Sequence, residues 1–225
     1  MNKPSQAWSY SSIKTFDQCP KKYYHLKVAK DVKDFGNEAT IYGNQVHKAA
    51  EDYIKDGVEI PEKFKYILAP LQALESIAGE KHCELRLGVA YDGQNYEPTK
   101  FMAKDVWYRG IADLLIVNKD KAYLVDYKTG KNAKYADTAQ LDMLAAAIFV
   151  HFPEIHSIKS ALAYLVSGDF IKKEHKRELM KSYFATFDDS LKKLEVAEQS
   201  DVWNAISGPL CGFCPVKSCE HHRGR

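Results

Sequence analysis

The sequence has no apolar run long enough to cross a bilayer. Its longest, Met143–Val150, has eight residues, against the roughly 18 that a spanning helix needs. Its first twelve residues contain no apolar leader segment, so a cytoplasmic location is the expectation. There is no internal repeat and no Gly-, Ser- or Pro-rich stretch, which excludes solenoid, collagen-like and low-complexity architectures. No Walker A sequence or helicase motif is present, so the chain cannot unwind a duplex with ATP by itself. Neither sign of charge dominates: 32 Lys and Arg face 30 Asp and Glu, a net of +2. Cysteines are few and odd in number, five in all, which argues against a disulfide scaffold. What remains is a 225-residue chain, 45% apolar and 28% charged, long enough to fold around its own core.

Charge is unevenly spread. Residues 1–30 carry six Lys and one Asp, a basic segment that could meet a phosphate backbone, although on charge alone a solvated helix face is the favoured reading. Ser11 or Ser12 is the expected cap of a first helix through Ile13–Phe16 and Tyr23–Leu26, interrupted near Pro20. Tyr42, Val46, Ala49, Ala50, Tyr53 and Ile54 recur at helical spacing. A helix is expected from Pro61 to about Ser76, a strand over Leu85–Ala90, and another helix through Leu141–Phe152. Ser160–Val166 and Phe170–Lys173 read as a hairpin, and Glu178–Ser200 as one long amphipathic helix. The interleaving lacks a βαβ rhythm, so the expected fold is α/β with a mixed central sheet flanked by helices.

Arg109–Val117 and Ala122–Lys128 are rich in Val, Ile, Leu and Tyr and are separated by Asn118-Lys119-Asp120-Lys121, which is turn chemistry. With the turn centred on Lys119-Asp120, opposed residue numbers sum to 239, and Asp113 faces Asp126. Directly opposed Cβ atoms lie about 4.5–5.5 Å apart, where two carboxylates repel. A divalent cation between them converts that penalty into a binding site. Ala122, Leu124, Asp126 and Lys128 share one strand face, which turns from apolar to charged at the strand end. An isolated Asp-X-Lys is most simply a surface ion pair. Set opposite Asp113, it can hold a hard cation and a bound water, with the lysine stabilising the charge that develops.

These residues, with others in the same order, resemble the PD-(D/E)XK nuclease superfamily, in particular the RecB-like exonuclease branch that includes the CRISPR-adaptation nucleases. The matching pieces are Trp8-Ser9-Tyr10-Ser11-Ser12 with Cys19-Pro20-Lys21-Lys22-Tyr23-Tyr24, Gly43-Asn44-Gln45-Val46-His47, Gly110-Ile111-Ala112-Asp113, Val125-Asp126-Tyr127-Lys128-Thr129-Gly130, Gln140 and the C-terminal cysteines. Each is weak alone; together they span residues 8 to 219. The resemblance implies a restriction-endonuclease-like fold. It also implies a Mg2+- or Mn2+-dependent exonuclease acting on single-stranded or end-containing DNA in recombination, repair or CRISPR adaptation. It makes His47, Asp113, Asp126 and the carbonyl of Tyr127 metal-site groups, Lys128 the catalytic lysine, and Gln140 a neighbour of the site. Glu84 resembles a weaker acidic motif. The family often has Tyr four residues after the Gln; here that position is Leu144. A helicase or a CRISPR-adaptation or recombination protein is the implied partner, and a catalytically idle DNA- or partner-binding module is the alternative. His47 has a simpler reading as a helix residue paired with Glu51, and Gln140 as a packing contact.

Cys211-x2-Cys214-x4-Cys219 supplies three thiolates at metal-ligand spacing, with Cys19 as the evident fourth. Four such cysteines hold a [4Fe–4S] cluster or a zinc ion, and the resemblance implies the cluster. His221 or His222 with the three late cysteines would instead make a Cys3His zinc site. A centre that includes Cys19 would join residues 1–30 to 200–225 as one lobe beside a core of about 40–175, within a single nuclease domain. Cys83 lies outside this set and reads as a small buried hydrophobe. Lys14, Lys21 and Lys22, interleaved with Tyr23 and Tyr24, could line a strand path, though the tyrosines read more simply as core.

Overall fold

The computed structural model describes residues 7–130, 133 and 136–223. Its helices are α1 (Tyr10–Gln18), α2 (Pro20–Tyr23), α3 (Glu38–Asp56), α4 (Leu68–Glu75), α5 (Ala139–His151), α6 (Met180–Ala185) and α7 (Asp188–Ser200). The strands are β1 (Glu80–Tyr91), β2 (Tyr96–Thr99), β3 (Val106–Asn118), β4 (Lys121–Lys128), β5 (Ser157–Tyr164) and β6 (Asp169–Lys176). They form one sheet in the order β2-β1-β3-β4-β5-β6. All pairs are antiparallel except β4 with β5, which are joined through α5. This is the mixed sheet the sequence implies, with one βαβ crossover that its rhythm does not reveal.

Period-two alternation divides the core between the two sheet faces. Leu115 and Leu124 pack with α5, α1, α6 and α7, whereas Leu114, Ile116, Val125 and Tyr127 pack under α3 and α4. Helix α5 is buried from Leu141 through Phe149, including Asp142, as expected of a helix hydrophobic all round.

Four sequence expectations need correction. Ser9, rather than Ser11 or Ser12, caps α1: its hydroxyl accepts from the Ser12 N–H, and the Ser12 hydroxyl accepts from the Ser9 N–H in return. That reciprocal pair fixes the start of the helix. The segment after Pro61 is a 3-10 turn, Glu62–Ile67, before it becomes α4. The long helix at 178–200 breaks at Thr186-Phe187, because Phe187 is drawn into the core against Trp8 and Tyr10, and Asp188 and Asp189 then open α7 with favourable charge at its N-terminus. Strand β1 is longer than Leu85–Ala90, and β2 pairs along its second half. No helix among the described residues is long and apolar enough to cross a membrane.

Candidate active site

The two-residue turn at Lys119-Asp120 sets the β3–β4 register with pairs from Asn118–Lys121 to Leu114–Val125, all summing to 239. Asp113 and Asp126 follow as the next opposed positions. Here the Asp113 carboxylate stands in for a ladder partner, accepting the Tyr127 N–H at 2.6 Å. The carboxylate is thereby fixed at the strand ends.

Helix α3 brings His47 to the same point: its Nδ1 lies 3.5 Å from Asp113 Oδ2, and its ring meets Tyr127 edge-on. Glu51 does not pair with His47; it binds Lys48 and Lys55. Two glycines allow the helices this close. A Cβ at Gly43 would stand 3.2 Å from Thr129 Oγ1, at the end of β4, and one at Gly110 would meet Leu144 at 2.8 Å and the Tyr108 hydroxyl at 2.9 Å. The glycine three residues before Asp113 therefore admits α5 onto the sheet, and the Leu144 that replaces the family tyrosine fills that contact.

From α5, Gln140 bridges the other half of the site. Its Nε2 donates to Asp126 Oδ1 at 2.6 Å, and its Oε1 accepts from Lys128 Nζ at 3.0 Å. Lys128 Nζ also sits 2.6 Å from Asp126 Oδ2. Gln140 is thus more than packing: it orients both the lysine and the buried carboxylate.

Glu84 was the least legible member. Cys83 pairs with Leu114 and Leu85 with Ala112, so Glu84 lies opposite Asp113, outside the regular ladder. Its φ of +49° is rare for a residue with a side chain. Such departures concentrate at functional sites. Donor atoms of His47, Glu84 and Asp113 lie within 4.8 Å of one another, a grouping suited to a metal ion. Asp126 adjoins this trio with its two oxygens turned to Gln140 and Lys128.

The electrostatics are those of an under-neutralised acidic cluster. Burial, then repulsion from Asp113, pushes the Asp126 carboxyl up to about 6, against the pull of Lys128. Burial and Asp113 also raise the Glu84 carboxyl. Burial opposes the charged form of His47, but Asp113, Asp126 and Glu84 outweigh it and raise its pKa. Three acids against one lysine and one imidazole leave room for a cation's charge, and oxygen donors with one imidazole suit Mg2+ or Mn2+.

The cysteines lie apart from this site. Cys19 ends α1, Cys211 and Cys214 sit in and just after the 3-10 turn Pro209–Phe213, and Cys219 lies in a later turn. All four line one cavity of about 160 Å3. Backbone N–H groups of Ile206 and Gly208 point at the sulfurs of Cys19 and Cys211, at 3.5 and 3.3 Å. Among the described residues, no three cysteine or histidine donors there come within 4.8 Å of one another. The donor chemistry fits a thiolate-bound metal; the sulfurs are not drawn together around one point. Cys83 is half-buried and packs against the core under α3 and α4. Tyr23 is buried and stacks on Trp203, while Lys21 pairs with Glu220 and Lys14 with Asp137, so these groups serve packing and pairing.

The sequence pattern of the PD-(D/E)XK nuclease superfamily matches residues 7–219. No curated protein matches the chain. Among solved structures, a candidate exonuclease from Eubacterium rectale superposes with a TM-score of 0.56 at 14% identity, over 98% of this chain and 90% of that one. A protein named SSO0001 superposes with a TM-score of 0.50 at 12% identity, over 100% of this chain and 91% of that one. At such identities these likenesses speak for the fold.

Proposed function

Since the chain belongs to the PD-(D/E)XK nuclease superfamily, we propose that it is a metal-dependent DNA exonuclease acting on single-stranded or end-containing DNA. The observation that carries this reading is the meeting of His47, Glu84 and Asp113 donors within 4.8 Å, next to the Asp126–Lys128–Gln140 unit. A divalent cation held by His47, Glu84 and Asp113, with Asp126 adjoining and the Tyr127 carbonyl as the further ligand that the resemblance implies, would polarise the scissile phosphate and acidify a bound water. The imidazole in the donor set favours Mn2+ over Mg2+.

The chain's own groups supply the rest. Lys128, held by Asp126 and Gln140, directs an ammonium at the attacking water and offsets the negative charge that gathers on the phosphate oxygens as a P–O bond forms and the ester P–O bond breaks. Gln140 is a positioning residue, because it acts through Lys128 and Asp126. Asp113 anchors the site to the backbone of β4. An idle binding module would need none of this ordering, and the full set of His47, Asp113, Asp126 and Lys128 favours the enzyme.

In the same reading, residues 1–225 form one nuclease domain, whose cysteine lobe carries a structural [4Fe–4S] cluster held by Cys19, Cys211, Cys214 and Cys219, with zinc as the other occupant the donors admit. Its role is to fasten α1 to the tail. A cytoplasmic enzyme of recombination, repair or CRISPR adaptation, working with a helicase or an adaptation protein, is the setting that the resemblance suggests.

The test is digestion of end-labelled single-stranded and duplex DNA with Mg2+ or Mn2+, beside Lys128→Ala and Asp126→Ala. Metal-dependent shortening from one end that both substitutions abolish is the expected result. A folded, metal-supplied wild type that cleaves neither substrate would turn the reading to the binding module.

A further inference from the structure

The cysteine cavity has a fifth donor on its wall. His222 lines it together with Cys19, Cys211, Cys214 and Cys219, whereas His221 does not. The Nδ1 atom of His222 is fully buried and has no hydrogen-bond partner. Its position is set by the turn that follows the last cysteine, in which the His222 N–H donates to the Cys219 carbonyl at 2.9 Å. Buried polar nitrogens are nearly always satisfied, so an unpartnered one points to a group that completes it. With no acceptor in reach of Nδ1, the neutral ring is better served by carrying its proton on Nε2, which is not stranded in this way. Nδ1 then presents a lone pair, the form in which imidazole binds metal. The surroundings are polar as well: backbone N–H groups address two of the sulfurs, and Lys22 lies on the cavity wall. The last three cysteines and this histidine form a compact Cys-x2-Cys-x4-Cys-x2-His segment.

We propose that His222 is a direct ligand, through Nδ1, of a zinc ion in the cysteine cavity, filling with Cys211, Cys214 and Cys219 the four positions that zinc offers. This rests on the reading of the cavity as a metal centre. It makes the C-terminal segment a complete donor set for zinc by itself, with His222 in the place that Cys19 takes in a four-cysteine centre.

The test uses the full chain, purified anaerobically and loaded either with Fe2+ and sulfide or with Zn2+. Bound iron and zinc per chain are measured, along with the rate of metal release to a chelator. His222→Ala is expected to release metal at least tenfold faster than wild type, as loss of a metal-site partner does. His222→Cys is expected to restore retention, which also guards against a folding defect in the alanine variant, and His221→Ala is expected to match wild type. His222→Gln keeps a hydrogen-bond donor but not the imidazole. Retention by His222→Gln equal to wild type would overturn direct ligation, as would His222→Ala indistinguishable from wild type. Cys214→Ala separates the two layers of the argument. If it loses metal while His222→Ala does not, only the histidine's role fails. If wild type takes up neither iron nor zinc, the metal-centre reading fails with it.

Discussion

Two clusters of aspartate, lysine and histidine flank the N-terminal half of α5, and they are built from nearly the same parts. At the strand ends, Asp126 pairs with Lys128 and Asp113 with His47. Deeper along the sheet, Asp142 of α5 takes Lys173 Nζ at 2.7 Å, its other oxygen lies 3.3 Å from His175 Nδ1 without a hydrogen bond, and His175 Nε2 meets the Ser160 hydroxyl at 2.7 Å. The difference lies in charge balance and access. The inner cluster has one acid for one lysine and a histidine that burial keeps neutral, with its pKa lowered to about 4. It is closed on itself: Ser160 is 3% exposed and His175 0%. Its Ser-His-Asp order resembles a hydrolase triad, but the serine and histidine are both buried and the histidine does not hydrogen-bond the aspartate. The outer cluster adds Glu84 and a second aspartate without a second lysine, and its charge is left for a cation to balance. The same residue types thus make a structural lock where they neutralise one another and a candidate reaction site where they do not.

Substitutions should separate the two clusters cleanly. The largest effect is on activity: Lys128→Ala, Asp126→Ala or Asp113→Ala is expected to lower DNA cleavage by about 1000-fold, with circular dichroism showing the fold kept. Glu84→Gln is expected to raise the divalent-ion concentration giving half-maximal cleavage by about tenfold, and an unchanged metal dependence would remove Glu84 from the site.

The inner cluster should answer in stability instead. His175 has a folded-state pKa below its unfolded value, so the unfolded chain binds the extra proton between about pH 6.5 and pH 4. Its contribution is therefore complete above about pH 6.5 and is lost as pH falls towards 4, by up to about 3 kcal/mol. The facing charges are Asp142 and Lys173, with the ring of Tyr183 beside them. Urea melts across that window would show the slope, and His175→Gln should flatten it. Asp142→Asn is expected to cost about 2 kcal/mol at neutral pH, because it weakens the partner of a half-exposed lysine and a buried histidine. The smallest effect is at Gly110, where alanine must displace Leu144 and the Tyr108 hydroxyl, costing about 1 kcal/mol. Because Gln140 rides on the same helix, that variant should also lose some cleavage.

Legibility in the sequence followed the range of the interaction. The β3–β4 register was readable because a two-residue turn fixes it, and with it came the opposition of Asp113 and Asp126. Helices α3 and α5 were readable from their spacing. Glu84 was only faintly visible, since a residue at φ +49° leaves the alternation that identifies a strand face. The inner cluster was not visible at all: Asp142 sits inside an apolar helix, and its partners lie on strands more than 15 residues away in sequence. The break at Phe187 was hidden because it depends on a contact with Trp8 near the other end of the chain. Gln140 was placed beside the site by its motif, but its bridge between Asp126 and Lys128 needs the α5 crossover to be seen.

The most direct test of the account is a crystal of the full chain soaked with Mn2+ and measured for anomalous scattering. The account predicts a peak bonded to His47, Glu84 and Asp113 that disappears in Asp113→Asn. Mn2+ bound elsewhere, or no peak at these residues in crystals of protein that cleaves DNA with Mn2+, would contradict it.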